Sequence, residues 1–551
     1  MKSLNDKGAV SVAGKGPVIV VGTGPLVTAV AVFLGLLALL EYRVLHLTGG
    51  TFMYPLDDTF IHMAVAKTLA FQGNWGIAGH EFESASSSVL YTLLLAASFK
   101  LFGIHILIPF IINVIAGCLL LLVVQRRLAR EGVGGGGQLL ILLAVVVFTP
   151  VPIQVMSGME HTLQCIFSFL FIFGAAEWLE GIDRQEKDRL RIPVRLIVYG
   201  ILACAIRYEG AFLVGIVCVL LLFKRRVKSA FLLGFLCALP IFIFGCYSLY
   251  KGSYFLPNSV LIKSEGAQLT LGGVFGFLFK VALQKLTLSL AGIATSATQH
   301  LLILLPLTFL LFSGKLVKNG RYSYTLLILT VATLLQVTLA STGWFYRYEA
   351  YLILPSVVIV GILLYKYRTE LTGMVRQRPV VMTFLLFVLF LPMVVRVAAA
   401  FRNAPVACMN IYGQQYQMGK FFHQYYDDSV VAANDIGAIS FFKKEKNLDL
   451  WGLANIEVAR SRKNNYWTPA FLDSLSRRDK APVAVVFDGW FSDSLLVRWN
   501  KVATWTIPDN VICGDSVVSF YAIEPQGEPY LRQSLKAYQE QLPPGVEARY
   551  F

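Results

Sequence analysis

Leu56-Asp57-Asp58-Thr59-Phe60-Ile61-His62 follows the first long apolar run of the chain and leads into an amphipathic segment ending near Phe71. Two adjacent carboxylates beside such a run need a reason. Asp58 is a good N-cap for a helix over residues 59–70, because its side-chain oxygen accepts a backbone N–H that the first turn leaves unpaired. Capping uses one carboxylate only. The neighbour, Asp57, then stands as an uncompensated charge, which raises the pKa of one member of the pair and suits a general base. Asp57 is the expected base and Asp58 the expected cap. The pair could also hold a divalent cation through oxygen ligands, although two carboxylates are few for Ca²⁺.

The surroundings of this stretch set the class of protein. Of 551 residues, 56% are hydrophobic and only 15% charged, far more apolar than a soluble domain. The chain reads as a polytopic membrane protein, mainly α. The first run, over residues 17–40, is too long for a signal-peptide core and has no small-x-small cleavage site, so it is an uncleaved span. The net charge of +15 resides in short loops between apolar runs, where it orients the protein in a membrane and does not imply nucleic acid.

Those loops carry Lys2, Lys7 and Lys15, then Arg126, Arg127 and Arg130, residues 184–195, Lys224 to Lys228, Lys315 to Arg321, and residues 366–378. By the positive-inside rule they are cytoplasmic, and consecutive loops must be separated by an even number of crossings. Apolar runs at 138–154 and 160–178, 193–207 and 209–223, 229–250 and 299–313, and 322–341 and 349–366 meet that requirement, and 379–399 leads outward. Residues 86–103 break the parity if counted as a span. They are expected to form a re-entrant or interfacial helix on the outer side, with 104–124 as the second span, giving about eleven spans. The expected setting is a bacterial cytoplasmic membrane, with the polar outer loops and the C-terminal domain outside.

Residues 1–401 form the expected membrane domain. Residues 402–551 change character: strand-like runs at 430–433, 483–487, 502–507 and 517–523 alternate with helical patterns at 412–425 and 530–541, which is an extracytoplasmic α/β domain. Six of the eight Cys lie in apolar runs. Cys408 and Cys513 are alone in the outer part, where an oxidising compartment would permit a disulfide that their spacing does not decide.

With orientation set by the basic loops, the remaining polar residues collect outside: Asp57, Asp58 and Glu83; Glu160 and His161; Arg207 and Glu209; Asn258 and Lys263; Arg347 and Glu349. Singly, each has a reading as an interfacial anchor. Together they bring carboxylates and cations from five loops to one membrane face, as a site for an anionic lipid headgroup and a hydroxyl acceptor requires, with Arg a planar fork and Lys a point charge for phosphate. The run 134–137 of glycines lacks the Gly-Lys-Ser/Thr of a P-loop, Gly22 and Gly24 follow no strand, and no Cys/His spacing suggests zinc. No nucleotide site is expected.

The order Asp57-Asp58-Thr59-Phe60-Ile61, then Glu83 with Ser86-Ser87-Ser88, Ser157-Gly158-Met159-Glu160, Arg207-Tyr208-Glu209-Gly210, Pro257-Asn258 with Lys263, and an outer loop bearing Arg347 resembles the GT-C superfamily of membrane glycosyltransferases, which use polyprenyl-phosphate sugars. It is most similar to the branch containing the mycobacterial terminal arabinofuranosyltransferase. Residues 434–439 and 448–453 extend the likeness, more weakly, into the outer domain. The chain departs from the pattern at Tyr208, where Pro is common, and at His161, where a small residue or Thr is common. The resemblance implies an inverting transfer onto a glycan, lipid or protein hydroxyl, with Asp57 as base, Glu160 and Glu209 orienting sugar hydroxyls, and Lys263, Arg207 and Arg347 holding phosphate.

Two other classes compete. A transporter or flippase of lipid-linked sugars would place ionisable groups at mid-membrane on broken helices, whereas these runs are nearly free of charge. A receptor with the outer domain as binding module would need far fewer spans and would leave the Asp pair without a task.

Overall fold

The computed structural model describes residues 22–79, 81–186, 191–263, 297–316 and 319–551. The protein is a helical membrane part joined to a small C-terminal sheet domain, and among the described residues the expected spans fall on helical segments, residues 17–21 of the first lying outside them. Among the described residues, five helices are long and apolar enough to cross a membrane unaided: Gly24–Leu47, Ile108–Arg130, His161–Asp183, Val227–Tyr250 and Gly320–Leu339. Others are shorter. The expected run 138–154 is broken at Pro150 into Gly135–Phe148 and Val151–Met156, since a proline removes a backbone donor and crowds the preceding turn. Val89–Phe102 has 14 residues and rises about 21 Å, less than a hydrocarbon core of about 30 Å.

The helix expected at 59–70 spans Asp58–Gln72, and the capping assignment is corrected: position 57 occupies the N-cap, and its side chain makes no cap hydrogen bond to its own helix. The carboxylates serve other parts of the molecule. This helix is buried on nearly every side, Phe60, Met63, Ala64, Val65 and Ala66 being inaccessible, because the membrane part covers one face and the outer domain the other.

The last membrane helix, Pro379–Ile411, runs straight through residue 401, and a π turn at Tyr412–Tyr416 joins it to Gln417–Tyr425. The sheet follows. Its strands are β1 (Val431–Ala433), β2 (Asn447–Asp449), β3 (Val483–Val486), β4 (Asn500–Thr506), β5 (Val517–Ala522) and β6 (Glu547–Tyr550), in the order β2-β1-β3-β5-β4-β6. β1 pairs in parallel with β2 and β3, while β3–β5, β4–β5 and β4–β6 are antiparallel. Phe421 of Gln417–Tyr425 packs on Trp505 of β4 and Phe520 of β5 at 5.7 and 5.8 Å, anchoring the sheet to the end of the membrane part. Cys408 and Cys513 are both free thiols; Cys408 is buried, and Cys513 Sγ donates to Gln415 Oε1 at 3.2 Å.

Candidate functional site

The turn before His161–Asp183 shows how the site is assembled. Thr59 Oγ1 donates to the Ser157 carbonyl and Tyr91 Oη to the Gly158 carbonyl, both at 2.6 Å. Gly158 has φ of +62, and a Cβ there would lie 2.4 Å from the Tyr54 ring, so both backbone conformation and space demand glycine. This clamp presents Glu160 inward. Its Oε1 accepts Arg207 Nη1 at 2.7 Å, and Oε2 lies 3.5 Å from His62 Nε2. Burial opposes ionisation of Glu160, but His62, His161 and Arg207 outweigh it and hold the carboxyl well below its usual range. His62 is fixed in turn through Ser86 Oγ at 3.1 Å.

Arg207 ends Val194–Ile206 and also forms a two-pronged contact with Glu209, Nε to Oε2 at 3.0 Å and Nη2 to Oε1 at 2.7 Å. Its guanidinium lies 5.5 Å from the centre of the Tyr348 ring, and that of Arg347 lies 5.0 Å from the same centre. Tyr348 therefore contacts both cations. Arg347 is buried, pairs with Asp58 Oδ2 through Nη2, and has no hydrogen-bond partner for Nε or Nη1.

The loop carrying Arg347 is strained and tightly held. Phe345 and Tyr346 have φ of +48 and +61, conformations costly for non-glycine residues. The Tyr346 carbonyl accepts Gln154 Nε2 at 2.6 Å and Arg396 Nη2 at 2.9 Å, while Glu349 accepts Arg396 Nη2 at 3.1 Å and the Gly343 amide at 3.0 Å. Those bonds fix the loop in its uncommon shape.

Asp58, Arg207, Glu209 and Arg347 line a single cavity of about 170 Å³, closed by Ser87, Met159, Tyr208, Phe212, Ser259 and Tyr348 among others. Glu160 and His161 stand behind its wall; neither ring nitrogen of the buried His161 has a hydrogen-bond partner. Not every expected residue joins them. Asp57 turns away from the cavity: Oδ2 accepts the Gly437 amide at 2.6 Å and Oδ1 the Ala438 amide at 2.8 Å, both in the outer domain. Burial and the neighbouring Asp435 push the Asp57 pKa well up. Glu83 accepts the Ile77 and Ala78 amides at 2.9 and 3.2 Å and organises its own loop. Asn258 Nδ2 donates to the Ala454 carbonyl at 3.2 Å, another tie to the outer domain. Lys263 closes the short helix Asn258–Lys263, and its side chain lies outside the described residues.

Sequence reasoning passed over Tyr348, His62, Gln154 and Arg396. A lone arginine in the apolar run 379–399 is a signal, because an ionisable group inside a span has a partner or a function. Among the described residues no group of three or more His, Cys, Asp or Glu is placed to hold a metal ion. Asp57 and Asp58 have separate partners and do not converge on one point.

A family model described as "Domain of unknown function (DUF8728)" matches residues 409–521, which covers the start of the outer domain and most of its sheet. No curated protein sequence matches the chain. Among solved structures, the chain is similar to the crystal structure of ArnT from Cupriavidus metallidurans bound to undecaprenyl phosphate, at 11% identity and a TM-score of 0.49, over 92% of this chain and 99% of that one.

Proposed function

We propose that the protein is an inverting membrane glycosyltransferase that moves a sugar from a polyprenyl-phosphate donor to an acceptor hydroxyl, with Asp58 as the general base. This revises the assignment expected from sequence. Both oxygens of Asp57 are taken by backbone amides and its carboxyl is held toward the neutral form, whereas Asp58 faces the cavity with 21% of its side chain exposed. A base needs an ionised oxygen within reach of its proton.

The observation that carries the proposal is Arg347, which lines the cavity, gives Nη2 to Asp58, and holds a buried Nε and Nη1 with no hydrogen-bond partner. One guanidinium thus attends both the base and the position for a phosphate. The acceptor O–H gives its proton to Asp58 as its oxygen bonds the anomeric carbon, and the bond from that carbon to the phosphate oxygen breaks on the opposite face. The negative charge that Asp58 loses on protonation reappears on the departing phosphate, still beside Arg347. Because the cation is already fixed, little reorganisation accompanies that charge movement. Arg207, whose charge Glu160 and Glu209 neutralise, fixes Glu209 at the cavity, where its carboxylate is placed to accept sugar hydroxyls. The motif order keeps an arabinofuranosyl donor as the first choice of sugar.

The test is transfer from synthetic polyprenyl-phosphate arabinofuranose and from a polyprenyl-phosphate hexose. Asp58→Asn should lose at least about 10²-fold in turnover while still binding polyprenyl phosphate. Near-normal turnover in that variant with either donor removes Asp58 from the chemistry.

A further inference from the structure

Two of the contacts between the outer domain and the membrane part share a feature. Asp57, which accepts the Gly437 and Ala438 amides, directly precedes Asp58 of the cavity wall. Asn258, which donates to the Ala454 carbonyl and whose own amide donates to the Ser84 carbonyl at 3.1 Å, directly precedes Ser259 and Val260 of the same wall. Each tie is one peptide unit from a residue that faces the cavity.

The first tie is rigid. Helix Gly437–Phe442 is gripped at its beginning by Asp57 and at its end by Lys67, which lies farther along the helix Asp58–Gln72. Lys67 Nζ donates to the carbonyls of Ser440, Phe441 and Lys443 at 3.2, 2.6 and 3.2 Å. There is no slack at position 437. A Cβ on Gly437 would stand 2.2 Å from the Asp57 carbonyl oxygen and 2.5 Å from Oδ2. Asp435 lies against Asp57 and is itself fixed by Gln415 Nε2 at 2.8 Å. The loops involved follow β1 and β2, so the carboxyl ends of the parallel strands, where α/β sheets generally meet their ligands, abut the membrane part instead.

We infer that the outer domain positions the base: Asp57, Lys67 and Gly437 are positioning residues that act on the reaction through Asp58, and the cavity is complete only while the domain is docked. This rests on Asp58 being the base, as proposed above. A shift of about 1 Å in a reacting group costs on the order of 10²-fold in rate. A methyl group at 437 must displace the backbone of Asp57 by a comparable amount. Arg347, by contrast, is held by its own loop and by Arg396, so donor binding should tolerate the disturbance.

The experiment uses the full-length protein in lipid nanodiscs and reads kcat, the donor KM and polyprenyl-phosphate affinity for Gly437→Ala, Lys67→Met, Asp57→Ala, Asp57→Asn and Asp58→Asn, with thermal unfolding as a folding control. The expected pattern is a fall in kcat of about 10²-fold in Gly437→Ala and Asp57→Ala with affinity within about threefold, a smaller fall in Lys67→Met, and partial rescue in Asp57→Asn, whose amide oxygen still accepts one backbone N–H. Lys67→Met reads the far end of the grip if Gly437→Ala does not fold. Wild-type kcat in the folded variants, with Asp58→Asn inactive, overturns the positioning role and leaves the base assignment standing. An active Asp58→Asn overturns the base assignment itself. Equal losses of kcat and affinity throughout mean general destabilisation and also defeat the proposal.

Discussion

Arg347 gives Nη2 to Asp58 and keeps a buried Nε and Nη1 without partners beside the cavity it lines, and only a planar, multi-donor group can serve two anions in fixed directions. An ammonium at this position is a point charge that must choose between them. Arg347→Lys should therefore lose the free charged donors, at about 1.5–3 kcal/mol per charged hydrogen bond, or about 10- to 100-fold in polyprenyl-phosphate affinity. Titration of the variant with polyprenyl phosphate checks this, and unchanged affinity would make Arg347 a partner of Asp58 only. At this scale the sequence was informative about which residues gather and misleading about the helix cap. Asp58, Glu160, Arg207, Glu209 and Arg347 do meet in space, yet Asp57 and Asp58 do not divide the work as a cap and a base would. A capping argument considers only the helix that follows a residue. The amides accepted by Asp57 belong to residues 437 and 438, and no local rule connects positions so far apart.

Elements with strong local signals were legible, and those defined by long-range contacts were not. The apolar runs, the helix Asp58–Gln72 and strands β1, β3, β4 and β5 follow from hydrophobic period and β-branched content. β2 and β6 did not announce themselves, because Asn447–Asp449 and Glu547–Tyr550 are three and four residues long and largely polar; pairing with neighbours makes them strands. Glu83 is a similar case, expected at the site and found organising a loop. Burial, reinforced by nearby Asp449 and Glu81, raises its pKa from 4.5 to about 8. A raised pKa means that the protonated form belongs to the folded loop, so its contribution is complete below the ordinary value and is lost as pH rises through about 8. Amide exchange at Ile77 and Ala78 should accelerate beyond the intrinsic increase between about pH 5 and about pH 8 and follow the intrinsic increase above that, and Glu83→Gln should abolish the excess. An unaltered profile in Glu83→Gln would detach the pH response from this carboxyl.

At the scale of the whole molecule the two ends of the helical part carry different chemistry. At one end Arg127, Arg321 and Lys366, from three separate basic loops, converge on Glu131 at 2.6, 3.2 and 3.0 Å. At the other, Arg347 and Arg207 meet Asp58 and Glu160. Helix Ala350–Lys366 connects the two, with Arg347 just before its start and Lys366 at its end, and the outer domain docks through Asp57 and Asn258 at the cavity end. If the basic end is cytoplasmic, as the positive-inside rule requires, then the cavity, the outer domain and the C-terminus all lie outside. The position of Val89–Phe102 follows from the same geometry. This helix is no shorter than Val194–Ile206 or Gly210–Phe223, so the parity of the basic loops and not its length keeps it on the outer side, and Ser88 at its beginning, which caps it by accepting the Tyr91 amide at 3.2 Å, adjoins Ser87 of the cavity wall. Reporter fusions after Phe102 and after Phe551 should both read as external, and one after Gly132 as cytoplasmic. A cytoplasmic signal after Phe102 would make Val89–Phe102 a crossing, turn the Arg126 loop outward and separate it from the basic residues that the structure gathers around Glu131.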